Sequence, residues 1–196
     1  LKMIESKKLC GWGRNKFSEC RVLAPLNELK LKQIIKDSQR NSLIARGLGR
    51  SYGDSAQLDN KNVVILSNFN SIVLDKENHI VTAKAGVSFD ELLRFIVPNG
   101  FFIPVSPGTR FVTVGGAIAS DVHGKNHHVN GTFGQNLIEI ILMDGKGEIH
   151  KLKPCHEENP SKVKNFWATV GGMGLTGIIL EATFSLIPIS SSYIKV

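Results

Sequence analysis

Residues 46–54 read Arg46-Gly47-Leu48-Gly49-Arg50-Ser51-Tyr52-Gly53-Asp54. They follow Ser42-Leu43-Ile44-Ala45, a short apolar stretch with the character of a strand. Three glycines and two arginines in nine residues exceed what a surface turn needs. Glycine takes positive φ freely and lets a backbone approach a ligand closely. Consecutive N–H groups in such a loop form a concavity for an anion. Ser51 and Tyr52 add hydroxyls, and Arg46 and Arg50 add charge. The stretch therefore reads as a strand that delivers its chain into an anion-binding loop.

Two more glycine clusters follow. Pro107-Gly108-Thr109-Arg110 leads into Thr113-Val114-Gly115-Gly116 and on to Ser120-Asp121-Val122-His123. A Gly-Gly pair at a helix start offers N–H groups and the positive end of a dipole to a pyrophosphate. The same glycines also suit close helix packing. The third cluster, Gly171-Gly172-Met173-Gly174-Leu175-Thr176-Gly177, contains a formal GxGxxG. Residues 178–184 after it alternate like a strand, so the helix that a Rossmann fingerprint must open is not expected. A Walker loop fails too. Asn126 follows Gly124-Lys125, and Ala119 stands where the first glycine belongs.

Periodicity supplies the frame. Leu29, Leu31, Ile34 and Ile35 make a helical stripe within 27–39. Residues 63–66, 72–74 and 79–84 read as strands. Ser88-Phe89-Asp90-Glu91 is a capping box that opens a helix to about Val97, ended by Pro98-Asn99-Gly100. A helix of small residues is expected within 113–122. Strands at 137–143 and 148–152 flank the hairpin signal Asp144-Gly145-Lys146-Gly147. A helix runs from Pro160 to near Thr169, and a long strand spans 177–187. Without a regular βαβα alternation the class is α+β. Two lobes are expected, at about 15–100 and about 101–190.

The chain has 196 residues and a formal charge of +7. That charge suits an anionic ligand or surface. There is no dense basic arm and no interleaved aromatic groove for nucleic acid. Cys10, Cys20 and Cys155 are odd in number and widely spaced, which fits a reducing compartment. No signal peptide and no run of about 20 apolar residues is seen, so a cytoplasmic protein with at most peripheral membrane contact is expected. His123 and His127 have a metal-like spacing. Gly124 and Asn126 argue against a helix there, no fourth ligand is evident, and no metal is expected. His150 and His156 read as surface residues, and Phe166-Trp167 as core.

The three clusters in this order resemble FAD enzymes of the vanillyl-alcohol-oxidase type. The strings His123-Gly124-Lys125-Asn126-His127-His128 and Phe166 to Ile179, with Gly11-Trp12-Gly13-Arg14, narrow the resemblance to the branch acting on polyprenyl-phosphoryl ribose. The resemblance implies a two-lobed FAD-binding PCMH-type domain with FAD between the lobes. It implies that Ala45, Arg46, Gly47, Leu48, Gly49, Arg50, Ser51, Tyr52, Gly53, Asp54 and Ser55 form a first flavin loop. Gly108, Thr109, Thr113, Val114, Gly115 and Gly116 would continue the cradle. Ser120, Asp121, Val122 and His123 would lie near the isoalloxazine ring. Gly174, Gly177 and Ile179 would line the other side. His123 and Lys125 would face the substrate. Some relatives link FAD through a histidine where Arg50 stands, so non-covalent FAD is expected.

The resemblance also implies oxidation of a ribose 2′-hydroxyl to a keto sugar. A separate NAD(P)H-dependent ketoreductase would then complete epimerisation to the arabinose form for cell wall biosynthesis. Such enzymes carry a C-terminal substrate domain, expected to lie outside this chain; the chain alone would bind FAD but turn over poorly or not at all. The alternatives are an alditol or aldonolactone oxidase, or a non-catalytic flavin-binding module.

Overall fold

The computed structural model describes residues 5–39, 42–155 and 159–193; His156 lies outside them. The chain opens with an antiparallel pair, β1 (Glu5–Cys10) and β2 (Phe17–Leu23). In β2 the buried side chains are Ser18, Cys20, Val22 and Leu23, while Phe17, Glu19 and Arg21 are exposed. Helix α1 (Glu28–Asp37) is capped by Asn27, whose side chain accepts the Lys30 N–H at 3.0 Å. It buries Leu31 and Ile35. It ends before the expected residue 39 because the Ser38 hydroxyl turns back to the Ile34 carbonyl at 2.6 Å. Strands β3 (Leu43–Arg46) and β4 (Asn62–Ile65) run parallel to each other and to β2. The first sheet is thus β1-β2-β4-β3.

The chain then enters a second sheet through β5 (Ile72–Asp75) and β6 (Ile80–Lys84). Helix α2 (Phe89–Ile96) follows. Its capping box is complete: the Ser88 hydroxyl accepts the Glu91 N–H at 3.2 Å, and Glu91 accepts the Ser88 N–H at 2.8 Å. Next come the two-residue β7 (Phe101–Phe102), α3 (Val114–Ala119) and the short α4 (His127–Asn130). Strands β8 (Leu137–Met143) and β9 (Ile149–Leu152) form the expected hairpin. Helix α5 (Pro160–Thr169) leads through the third glycine cluster to β10 (Ile178–Ser185), and β11 (Ile187–Pro188) pairs with β7. The second sheet is antiparallel throughout, in the order β5-β6-β10-β8-β9. Strands β5 and β6 therefore share a sheet with β8–β10. Drawn by sheet membership, the change of sheet falls between β4 and β5, well ahead of residue 100.

Both sheets feed one core. Leu23 and Val64 of the first pack in the same cluster as Val81, Ile140 and Phe184 of the second. Phe133 sits at its centre, with ring centroids 5.3 Å from Phe89 and 5.1 Å from Phe184. Cys20, Ile44 and Val63 form a second, smaller cluster. Lys84 ties α1 to the second sheet, 3.2 Å from Glu28 and 3.1 Å from Glu181. Phe166 is buried as expected, but Trp167 is 46% exposed, set edge-on to it.

Candidate functional site

A cavity of about 810 Å³ opens where the carboxyl ends of β3 and β4 meet α3 and the start of β10. That volume falls in the usual range for a ligand site, and the ends of parallel strands are where such sites form. Its walls come from five parts of the chain. Residues 45–52 and 55–56 form one, and residues 65–67 with 85–86 a second. Residues 107–109, 112–113 and 115–116 form a third, 119–120 with 122–123 a fourth, and 173–174, 177 and 179 the fifth. Trp12 reaches it from the β1–β2 turn. Arg46, Arg50 and His123 line it, and no carboxylate does among the described residues. The electrostatics favour an anion.

The loop after β3 is built to receive one. Gly49 has a φ of 69°. The backbone N–H groups of Gly47 to Ser51 donate no hydrogen bond among the described residues. All five residues line the cavity. The Ser55 hydroxyl is buried against it without a partner. A buried polar atom left open in this way is costly unless a ligand completes it.

Arg46 plays a different part from the charge donor expected. Its guanidinium donates to the Ala56 carbonyl at 3.1 Å and to the Cys10 carbonyl at 2.6 Å. It thereby fastens the far end of the loop to β1, and burial pushes its pKa below the ordinary arginine value. Arg50 donates to the Leu48 carbonyl and lies over the Trp12 ring, 5.1 Å from the centroid.

The first turn of α3 also departs from expectation. Val114 N–H donates to the Val87 carbonyl at 2.8 Å, and Gly115 N–H to the Ala85 carbonyl at 3.0 Å. Gly116 N–H donates to the Thr113 hydroxyl at 3.0 Å. These donors are already satisfied, so the Gly-Gly pair serves close packing: a Cβ on Gly115 would stand 3.0 Å from the Ala85 Cβ. The third cluster enters β10 rather than a helix. Gly171 N–H and Met173 N–H donate to the Ile118 and Ala119 carbonyls, which seats the cluster on the end of α3.

Of the remaining expected residues, Asp121 turns away. It has a φ of 41°, and its carboxylate accepts the Gly134 N–H at 2.9 Å. Gly53, Asp54, Val114 and Lys125 also lie outside the lining. Asp54 pairs instead with Lys16 at 2.7 Å, and that hydrogen bond lowers its pKa. His123 lines the mouth, with its ring 5.7 Å from that of His127. Among the described residues, the metal-type donors that converge are Asp144 and Glu148 of the β8–β9 turn with His150 of β9, and none lines the cavity. Sequence reading gave no place in the site to Trp12, Ala56, Ile65 to Ser67, Ala85, Gly86, Val112, Ala119 and Met173. A glycine directly after an alternating strand was the available signal for Gly86: a Cβ there would lie 1.9 Å from the Leu66 carbonyl.

A family model described as an FAD binding domain matches residues 21–153. The chain belongs to this FAD-binding family. Its cofactor is FAD, and the residues present fit it: free backbone donors and an unpartnered hydroxyl, on a cavity that no carboxylate lines among the described residues. Over 96% of its length, this FAD-binding chain is 42% identical to a decaprenylphosphoryl-beta-D-ribose oxidase of Mycolicibacterium smegmatis, of which it covers 41%. It is 30% identical over 68% of its length to a D-lactate dehydrogenase of Anaerostipes hadrus, covering 28% of it. It is 26% identical over 84% to a D-arabinono-1,4-lactone oxidase of Eremothecium gossypii, covering 31%. The chain thus spans less than half the length of these curated relatives.

Proposed function

We propose that this chain is the FAD-binding part of an oxidoreductase that oxidises a secondary alcohol of a sugar. The substrate is the 2′-hydroxyl of a polyprenyl-phosphoryl ribose and the product the keto sugar. The observation that carries this is the 42% identity across 96% of the chain to an oxidase of that name, on a fold whose cavity suits an extended anionic dinucleotide. Bound FAD supplies the hydride acceptor. The chain's own residues do the rest. The Gly47–Ser51 amides and the Ser55 hydroxyl hold the pyrophosphate between the two sheets, which form the two lobes. Thr109, Gly174 and Gly177 close the walls. Ser120 and Val122 lie beside the flavin ring, with His123 at the mouth on the side open to substrate. Lys125, exposed next to it, meets the anionic substrate only from outside the lining.

FAD is held non-covalently. Arg50 cannot bond to it, and His123 is the one histidine, with no cysteine, among the described lining residues. No helix of the described residues is long and apolar enough to cross a membrane. A lipid-linked substrate would be met by peripheral contact, for which the charge of +7 is suited. A separate ketoreductase would use the keto product. The match to a D-arabinono-1,4-lactone oxidase favours a second reading, an aldonolactone-type oxidase.

The test is anaerobic bleaching of the flavin in the full-length protein. Polyprenyl-phosphoryl ribose should reduce it, and an aldonolactone should not. Bleaching by the lactone alone would transfer the assignment to the second reading.

A further inference from the structure

The matched family domain begins at residue 21, yet the cavity has a wall that comes from before it. The turn between β1 and β2 is fastened to the anion-binding loop at several points. Trp12 N–H donates to the Ser51 carbonyl at 2.7 Å. The Cys10 carbonyl accepts from Arg46. A Cβ on Gly11 would stand 2.1 Å from the Gly53 carbonyl oxygen, and one on Gly13 would stand 2.8 Å from that of Tyr52. Backbone lies against backbone there, and both glycines are required for that approach. This fastening holds Trp12 on the cavity wall, where the residue is 56% exposed. An exposed tryptophan braced by Arg50 is a rigid aromatic surface with an unfilled role.

We propose that Gly11–Arg14 is a cofactor-binding element added ahead of the family domain, and that Trp12 stacks on a planar nitrogen heterocycle of the dinucleotide. The inference rests on FAD occupying this cavity. An indole face gains from stacking on any such ring, and the fixed turn lowers the ordering cost of presenting it.

The test compares Trp12→Phe, which keeps an aromatic face, with Trp12→Leu, which keeps apolar bulk only. FAD, FMN and ADP are titrated separately into the flavin-free full chain by equilibrium dialysis, and thermal unfolding without ligand serves as the control. Trp12→Leu should weaken FAD on the order of tenfold, as base–aromatic stacking typically contributes, with Trp12→Phe near the parent. A matching loss for ADP places the stack on adenine, and a matching loss for FMN places it on the flavin. FAD binding by all three proteins with equal affinity overturns the inference while leaving the cavity assignment intact. Equal loss in both variants overturns it as well, because shape rather than the aromatic face would then be at work. Failure of the parent to bind FAD would overturn the cavity assignment itself.

Discussion

Arg46→Met removes the two hydrogen bonds that close the loop after β3. The guanidinium spans the Ala56 carbonyl at 3.1 Å and the Cys10 carbonyl at 2.6 Å. A hydrogen bond with a charged partner contributes about 1.5–3 kcal/mol. Two such bonds amount to about 3–6 kcal/mol before relaxation. Met keeps the apolar stem, and water reaches a half-buried site, so a net loss of about 2–4 kcal/mol is expected. Urea unfolding of the flavin-free protein measures it through the midpoint at constant slope. Arg46→Lys should fall between, since one ammonium on a flexible stem lacks the fork that meets both carbonyls. FAD affinity should fall in the same order, because residues 47–55 hang between the two fastened ends. A Met variant within about 0.5 kcal/mol of the parent, the ordinary range for surface changes, with unchanged FAD affinity, would refute the fastening.

Other substitutions probe the frame. Ser88→Ala breaks the capping box of α2 and should cost about 1 kcal/mol by thermal unfolding. Phe133→Ala removes a fully buried ring between Phe89 and Phe184 and should cost about 3–5 kcal/mol in urea. Gly47→Ala places a Cβ 2.5 Å from the Thr113 hydroxyl that caps α3. It should cost about 1 kcal/mol as that cap is displaced and should weaken FAD in dialysis. Acid should destabilise the fold for a defined reason. Hydrogen bonds from Arg94 to Asp90 and from Asn78 to Asp75 hold these carboxyls below the ordinary value of 3.8. The folded state then binds fewer protons than the unfolded state below about pH 4. This contribution is present above the unfolded pKa and is lost as pH falls through the folded values. Asp90→Asn should flatten the fall of unfolding midpoint with pH in that range.

The elements with strong local signatures were legible in the residues. Ser88 and Glu91 marked the start of α2, Asp144 to Gly147 marked the β8–β9 turn, and the alternation after Gly177 marked β10. The N-terminal hairpin was not. Its inward positions include Ser18 and Cys20, and Lys7 and Lys8 occupy the edge strand, so apolar alternation is masked by polar letters at a paired edge. Among the described residues, the two-residue β7 and β11 pair only with each other and leave no periodicity to read. In the site, the glycine clusters pointed to the cavity, but sequence could not show which amides were free. Val114 to Gly116 bond to Val87 and Ala85, just after β6, and to Thr113, long-range and local contacts that no spacing reveals. Asp121 looked like a site residue by its neighbours, but a positive φ turns its carboxylate to Gly134. Trp12 lies more than thirty residues before the loop it touches, and only the fold brings them together.

We propose that this chain holds FAD non-covalently in the cavity between its two sheets. A visible absorption spectrum of the purified protein, taken before and after acid precipitation, tests it most directly. A flavin band should pass wholly into the supernatant. A band retained in the pellet would contradict the non-covalent assignment and point to His123 on the cavity wall. No band, even after soaking the protein with excess FAD, would contradict the cavity as the cofactor site.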